Sequence, residues 1–324
     1  MGETMEIIDV ALKPPYDTKP LVLVIGKFDG IHKGHQLILQ TAREYTVKDE
    51  LLTVLSFTKN PQKVLENEDY VIEKKITLET DKLSILKKFG VERYYRVVFT
   101  KEYAKTTAEE FIFEHLGRIN VKRIVVGEDF RFGQGRKAGI SELITLCTKR
   151  NIAVTVVPLD KEDGADISST MIRNLIVEGK VERAKMLLGR PYRVTGEVIH
   201  GNALGRTLGF PTANLGGIDM YVLPKPGVYL GRVEIFQDEI VKETKNALIS
   251  AGYRPTVAGD GYLFEAYLMD FTGDLYGKKL AVSFNNYLRE EIKFEGIDAL
   301  VRQMHQDKEE AQKLLTGIPP EKGR

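Results

Sequence analysis

The amino-acid sequence predicts an α/β domain followed by an all-β domain. Three observations carry that expectation. Short β-branched runs alternate with helix-length amphipathic segments from Leu21 to about Leu188. After Gly189-Arg190-Pro191, strands follow one another with only turns between them. The composition, 43% hydrophobic and 29% charged over 324 residues, supports two ordinary cores.

In the first segment the β-branched runs are LVLVIG at Leu21, LLTVLSF at Leu51, RYYRVVF at Arg93, RIVVG at Arg123 and IAVTVVPL at Ile152. Between them, KGHQLILQTAREY and ITLETDKLSILKKFG place apolar residues at helical spacing. Strands buried on both faces and separated by helices form a doubly wound parallel sheet, whose ligands sit beyond the carboxyl ends of its strands. In the second segment YRVTGEVIH, GVYLGRVEIF, TKNALIS, YLFEAYLMDF and KKLAVSFNNYL read as strands separated by turn residues. Without crossover helices they suggest an antiparallel barrel or sandwich. The tail from about Gly296 is helical, with Ile297, Leu300, Val301 and Met304 on one stripe. The expected domains are 1–188 and 189–324.

Lys plus Arg total 47 against 46 for Asp plus Glu, a net charge of +1. That balance disfavours a general polyanion binder, so neither nucleic acid nor a membrane is an expected partner. The single Cys147 excludes an internal disulfide framework and a cysteine-rich metal site. The first twenty residues lack a signal-peptide pattern, and no apolar run approaches the ~20 residues of a spanning helix. A cytoplasmic location is expected.

Three motifs fall at strand ends of the first domain. GKFDGIHKGHQ spans Gly26 to Gln36, with glycines 26, 30 and 34 allowing tight turns and His32 and His35 three residues apart. A helix starting near Gly34 would bury Leu37, Ile38, Thr41, Ala42 and Tyr45, and its N-terminus would favour an anion. Two imidazoles there could donate to phosphate oxygens; the competing reading is one packed and one exposed histidine. VVGEDFRFGQGRKAG offers Asp129, Arg131 and Arg136 with the rings of Phe130 and Phe132, or an ordinary solvated turn. DISSTMIRNLIVEGK opens a helix with the capping residues Ser168, Ser169 and Thr170, followed by Arg173 and closed by Gly179.

In the second domain Pro211 keeps Phe210 extended, so Thr212 and Asn214 point to the same side. A hydroxyl beside a side-chain carbonyl supplies hard oxygen ligands for Mg²⁺ on nucleotide phosphates. The preceding HGNALGRTLG is rich in glycine and basic enough to cover a phosphate tail, though it is neither a P-loop nor a kinase loop. Glu265 sits in a strand apolar on both sides, which places it at a solvated edge or in a pocket where it could accept a proton.

GKFDGIHKGH, GEDFRFG and ISSTMIR together resemble the three motifs of the FMN adenylyltransferase module in bacterial bifunctional riboflavin kinase/FMN adenylyltransferases, the FAD synthetases. From Gly189 onward, LGRPY, GRTLGFPTAN, PGVY, YRPT, DFTGDLYG and YLREEIKF resemble that family's riboflavin kinase module. The resemblance covers Leu21 to about Leu315. It implies a nucleotidylyltransferase domain and a six-stranded Greek-key, riboflavin-kinase-like barrel with a terminal helix. Riboflavin, FMN and ATP with Mg²⁺ are the implied substrates, and no permanently bound prosthetic group is implied.

The resemblance also implies roles. His32 and His35 would stabilise charge on the triphosphate, which Gly26, Phe28, Asp29, Gly30, Gly34, Ser168, Ser169, Thr170 and Arg173 would help bind. Asp129, Phe130, Arg131 and Phe132 would face flavin, as would Arg289 in the barrel. There Gly201, Gly205 and Arg206 would contact ATP, Thr212 and Asn214 would hold Mg²⁺, and Glu265 would be the base. The chain departs from the family pattern at Asn60, where His is expected after Phe57 and before Pro61, and at Met171, where Arg is common. NALISAGYRPT also differs from the expected Asn-Val-Gly segment. The rival readings are a chain with one decayed module, the first being the suspect, and a non-catalytic flavin or nucleotide sensor.

Overall fold

The computed structural model describes residues 5–58, 73–159, 161–162, 164–200, 212–256 and 259–317. Asn60, Pro61, Gly201, Gly205, Arg206, Phe210 and Pro211 lie outside the described residues. The chain divides into two compact units, Met1–Ser169 and Thr170–Arg324.

The first unit is built on a six-stranded sheet. Its strands are β1 (Glu6–Val10), β2 (Asp17–Ile25), β3 (Leu51–Phe57), β4 (Arg93–Val97), β5 (Ile119–Gly127) and β6 (Ala153–Val157). Their order is β1-β4-β3-β2-β5-β6, with every pairing parallel. The five expected runs form β2 to β6. The sixth strand, β1, has the pattern EIIDV, too short and too charged to stand out by periodicity. It is fixed at the edge by Arg93, whose Nε and Nη2 donate to Glu6 at 3.0 and 2.7 Å while Nη1 pairs with Asp17.

Helices α1 (Lys33–Tyr45), α2 (Glu79–Lys88) and α3 (Ile140–Thr148) accompany the sheet. Residues 108–118 form consecutive short helical turns. Two cores follow from strands that are apolar on both faces. One joins Leu21, Leu23, Ile124 and Val126 to Ile112, Leu116, Leu143 and Cys147. The other joins Val22, Val24, Val54 and Val125 to Phe28, Ile31, Leu39 and Leu86. The buried face of α1 differs from the expected stripe: Leu39 and Ala42 are buried, whereas Leu37 and Tyr45 are exposed. The Arg123 guanidinium lies 4.1 Å from the centroid of the exposed Tyr45 ring, a cation–π contact, and also donates to Thr155 Oγ1 at 2.7 Å. Burial pushes the Cys147 thiol up to about 11, so it is an inert core side chain.

The second unit opens with α4 (Ser169–Val177), whose first residue ends the first unit, and α5 (Val181–Leu188). Then come β9 (Tyr192–Ile199), β10 (Thr212–Gly216), β11 (Gly227–Gln237), β12 (Ile240–Thr256), β13 (Gly259–Leu268) and β14 (Lys279–Arg289); the labels β7 (Lys161–Glu162) and β8 (Ala165–Asp166) denote a small hairpin. The six strands close into an antiparallel barrel, β10-β13-β12-β11-β14-β9. The compact division falls earlier than the change of pattern near residue 190. The helix α5 packs on β9 and β14, and its Glu182 accepts the Tyr287 backbone N–H at 2.8 Å.

Inside the barrel Phe284 meets Tyr192, Tyr229 and Phe264, from three other strands, at 5.2–5.8 Å between ring centroids. On the outer face Val228, Leu230, Leu248 and Met269 are covered by Ala311 and Leu314 of the terminal helix α6 (Ile297–Thr316). Of the expected apolar stripe of α6, Leu300, Val301 and Met304 are half-buried, whereas Ile297 is 57% exposed. Asp307, on the same side of the helix, takes a bidentate contact from Arg289, with both N···O distances 2.7 Å.

Small residues face large ones inside so narrow a barrel. Gly231 pairs with Phe284, and a Cβ there would lie 2.2 Å from the Ser283 carbonyl oxygen and 2.3 Å from Ile249. Gly231→Ala is therefore expected to lower stability by roughly 1–3 kcal/mol, the scale of overpacking, as read by urea unfolding. An unchanged midpoint would contradict this packing.

Candidate active sites

In the first unit, β2 and β5 are adjacent, and the chain leaves them towards opposite sides of the sheet. This is the switch point at which a doubly wound sheet opens a crevice. A cavity of about 370 Å³ lies there, lined by the last residues of four strands, Ile25, Phe57, Gly127 and Val157. Gly26, Phe28, His32, Gly34 and His35 enter it from the turn after β2. Asp129, Phe130, Arg131, Phe132 and Arg136 enter from the loop after β5, and Ser168 and Ser169 from the start of α4. Three motifs separated by up to about 140 residues thus line one cavity.

The turn after β2 is strained. Phe28, Gly30 and Ile31 have φ of 52°, 82° and 41°, a left-handed region that only glycine adopts freely. Such residues cost about 1–3 kcal/mol each and persist only where surroundings over-determine them. Here Phe28 and Ile31 are almost fully buried, at 1% and 0% exposure, and each burial returns about 1.5–3 kcal/mol. Asp29 was expected at the phosphates. Its buried carboxylate instead accepts the backbone N–H groups of Ile76 and Thr77 at 3.1 and 3.3 Å, and its carbonyl accepts Ser169 Oγ at 2.8 Å. It shapes the turn and does not line the cavity.

That geometry makes His32 the N-cap residue of α1 and carries His35 one turn along. Their rings stack with centroids 3.8 Å apart, and Phe28 lies 5.0 Å from His35. A Cβ at Gly34 would meet His32 Nδ1 at 3.3 Å, so a larger residue would press into the pair. Burial, the neighbouring His32 and the Lys82 ammonium hold His35 well below the ordinary histidine range. At neutral pH His35 is therefore uncharged, a donor of one N–H and no cation. The free N–H groups of α1 provide the remaining anion preference.

Much of the remaining lining is aromatic. Phe130 and Phe132 stack at 5.6 Å with 16° between their planes, and Phe132 also meets Phe111 at 5.8 Å. Phe57, Phe99 and Tyr103 form a mutual cluster at 5.6–5.9 Å that sequence reading missed. They lie on β3 and on a segment with no motif, so only tertiary structure gathers them. Thr170 and Arg173 lie further along α4, in the second unit, exposed and half-buried respectively, and Met171 is half-buried there.

In the barrel, β13 pairs with both β10 and β12, so Glu265 is not on an edge strand. Asn214 is directly opposite Glu265, which is directly opposite Ser250; Thr212 is opposite Tyr267. Directly opposed residues share a face. Phe264, Ala266 and Leu268 turn into the core, so Thr212, Asn214, Ser250 and Glu265 belong to the outer face. Ser250 had no signal beyond its register. Arg289, expected to face flavin, has its guanidinium engaged by Asp307 and by the Glu290 carbonyl at 2.9 Å, with Gln303 also on Asp307 at 3.0 Å. It holds α6 in place.

The low His35 pKa has a consequence for stability. Unfolded chain takes up a proton at His35 near pH 6.5, and folded protein does not. Stability is thus complete above about pH 6.5 and declines as pH falls below it. His115, buried and lowered chiefly by desolvation, acts in the same direction. The urea midpoint is expected to fall between pH 7.5 and 5.5, and His35→Asn should flatten that decline. Equal slopes would place His35 in a solvated setting.

Comparison with known proteins finds matches to both segments of the chain. The family model described as FAD synthetase matches residues 15–171, and that described as riboflavin kinase matches residues 188–315. The bifunctional riboflavin kinase/FMN adenylyltransferase of Listeria monocytogenes is 35% identical over 301 residues, 92% of this chain and 93% of that protein. An FAD synthetase of the same organism is 38% identical over 248 residues, 76% of this chain and 94% of that one. A crystal structure described as a macrolide-efflux protein from Streptococcus pneumoniae superposes with a TM-score of 0.86 at 34% identity, covering 95% of this chain and 99% of that one.

Proposed function

The chain belongs to the bifunctional riboflavin kinase/FMN adenylyltransferase family, and from that premise we infer how its two sites divide the making of FAD. It is an enzyme of FAD biosynthesis that phosphorylates riboflavin to FMN and adenylylates FMN to FAD. The observation that carries the division of labour is the cavity at the β2/β5 crevice, which unites three motifs, aromatic rings and a helix N-terminus.

There the FMN phosphate attacks the ATP α-phosphorus and pyrophosphate leaves. The triphosphate lies against the α1 N-terminus, where His32 and His35 donate to oxygens on which charge accumulates. They serve as donors and not as nucleophiles. Phe130 and Phe132 offer their faces to the isoalloxazine, with Arg131 and Arg136 at the cavity mouth for anionic groups. No covalent intermediate is needed, because positioning and charge stabilisation dominate such transfers.

The barrel's outer face performs the kinase step. Glu265 accepts the proton of the riboflavin 5′-hydroxyl as that oxygen takes the ATP γ-phosphoryl group. Thr212, Asn214 and Glu265 present a hydroxyl, an amide carbonyl and a carboxylate on one face, a donor set that fits a hard cation. No group of three or more His, Cys, Asp or Glu among the described residues could hold a metal alone. Mg²⁺, with Thr212 and Asn214 as its protein ligands, would therefore be completed by nucleotide phosphates, whose charge it neutralises. We place both reactions in the cytoplasm, in keeping with one buried thiol. The efflux description of the pneumococcal structure has no counterpart among the described residues, none of whose helices is long and apolar enough to cross a membrane.

Incubation with riboflavin, ATP and Mg²⁺, followed by separation of riboflavin, FMN and FAD, tests this reading. Glu265→Gln keeps the side chain's size and removes the base, so FMN formation should be lost while FAD formation from supplied FMN continues near the parent rate. Loss of both activities would mean that they share one site. Asn214→Ala should raise the Mg²⁺ concentration needed for half-maximal riboflavin phosphorylation, and normal kinetics would remove Asn214 from the metal site.

A further inference from the structure

Lys82 occupies a position on α2 where the helical pattern calls for an apolar residue. It precedes Leu86 by four, shares its buried face, and is only 4% exposed. A buried ammonium is costly unless it is bonded and paired. Its Nζ lies 3.3 Å from Glu79, one turn back, and donates to the Lys27 carbonyl at 3.4 Å. The same carbonyl accepts Ser56 Oγ at 3.1 Å.

We propose that Lys82 is a positioning residue for adenylyl transfer, tying the histidine turn to α2 and holding a fixed positive charge behind His35. The proposal rests on the reading of the β2/β5 cavity as the adenylyl-transfer site. Two independent features carry it.

The first is mechanical. The turn from Gly26 to His32 contains three left-handed residues, and it is braced from one side by residues 75–82. Asp29 receives Ile76 and Thr77, while Lys27 receives Lys82. Removing the Lys82 bond leaves the Lys27 carbonyl with Ser56 and loosens the stretch that sets both imidazoles.

The second is electrostatic. The groups facing Lys82 are Glu79 on its own helix, Lys75 before that helix, Asp29 in the turn, and His35 on α1 beside His32. Lys27, the other cation of the turn, pairs with Glu73 at 2.5 Å. Lys82 is thus the buried cation whose field reaches His35, and it favours the uncharged, singly protonated imidazole. Burial lowers the Lys82 pKa, and the facing Glu79 carboxylate opposes that effect.

The test compares Lys82→Met with Lys82→Arg in the full-length enzyme, following FAD formation from FMN between pH 5.5 and 9. Met keeps the apolar stem and removes the charge. FAD formation should fall about 10- to 100-fold in kcat, with KM for FMN and ATP within about threefold. The acidic limb of the pH profile should move towards neutrality, because His35 protonates more readily without the adjacent cation. NMR titration of labelled imidazoles should show the same upward shift. Arg, which keeps the charge, should restore the position of that limb. Should Met at this position not give folded protein, Lys82→Gln carries the test, since it keeps a donor and removes the charge. A kcat loss with an unmoved limb would reduce Lys82 to a structural role and overturn the proposal, as would unchanged FAD formation. His35→Ala in the same assay separates the two layers. If it retains FAD formation, the reading of the cavity fails; if it loses activity while Lys82→Met does not, only the role of Lys82 fails.

Discussion

The seven-residue turn that follows β2 is held in a backbone conformation its residues resist, and the chemistry of the first unit depends on that resistance being overcome. Phe28 and Ile31 adopt left-handed angles because their side chains are sealed into the core between the sheet and α1. Asp29 then accepts two backbone amides at its Oδ1. The result is a platform on which His32 takes the N-cap position of a helix and the His35 ring stacks against its imidazole. Burial of apolar side chains is thereby converted into the placement of polar ones.

In the proposed scheme the two units handle phosphate by different physics. The first uses a helix terminus, backbone N–H groups and an uncharged histidine, so its anion preference comes from oriented dipoles more than from formal charge. The second sets oxygen donors in register across β10, β13 and β12, where opposed residues are brought side by side by the hydrogen-bond ladder itself. A chain with a net charge of only +1 can serve highly anionic nucleotides in this way. Long-range attraction is not required when the local geometry is fixed.

The outer face of the barrel carries a second constraint. The row that holds Asn214, Glu265 and Ser250 continues through Val228 to Arg289. Val228 is covered by α6, and Arg289 reaches into that helix through Asp307. The Glu265 carboxylate and the anchoring ion pair therefore stand on one continuous band of strands. Burial of both charges is tolerated because the fork geometry satisfies the carboxylate fully, with Gln303 adding a third bond.

The sequence by itself determined the class of each half, the five central strands of the sheet, the terminal helix and the three motifs of the first cavity. These are local properties: periodicity, turn residues and the order of elements along the chain. It also determined that Thr212 and Asn214 share a side, since alternation is intrinsic to extended backbone. Only tertiary structure decided the edge strand β1, which an ion pair to Arg93 secures, and the aromatic cluster of Phe57, Phe99 and Tyr103. It likewise decided that Asp29 and Arg289 bond to the scaffold, that Ser250 lies opposite Glu265, and that the buried Lys82 donates to the Lys27 carbonyl of the histidine turn. Each of those depends on a partner distant in sequence. Periodicity tells which way a residue faces along its own element, whereas the group it meets is set by the packing of another.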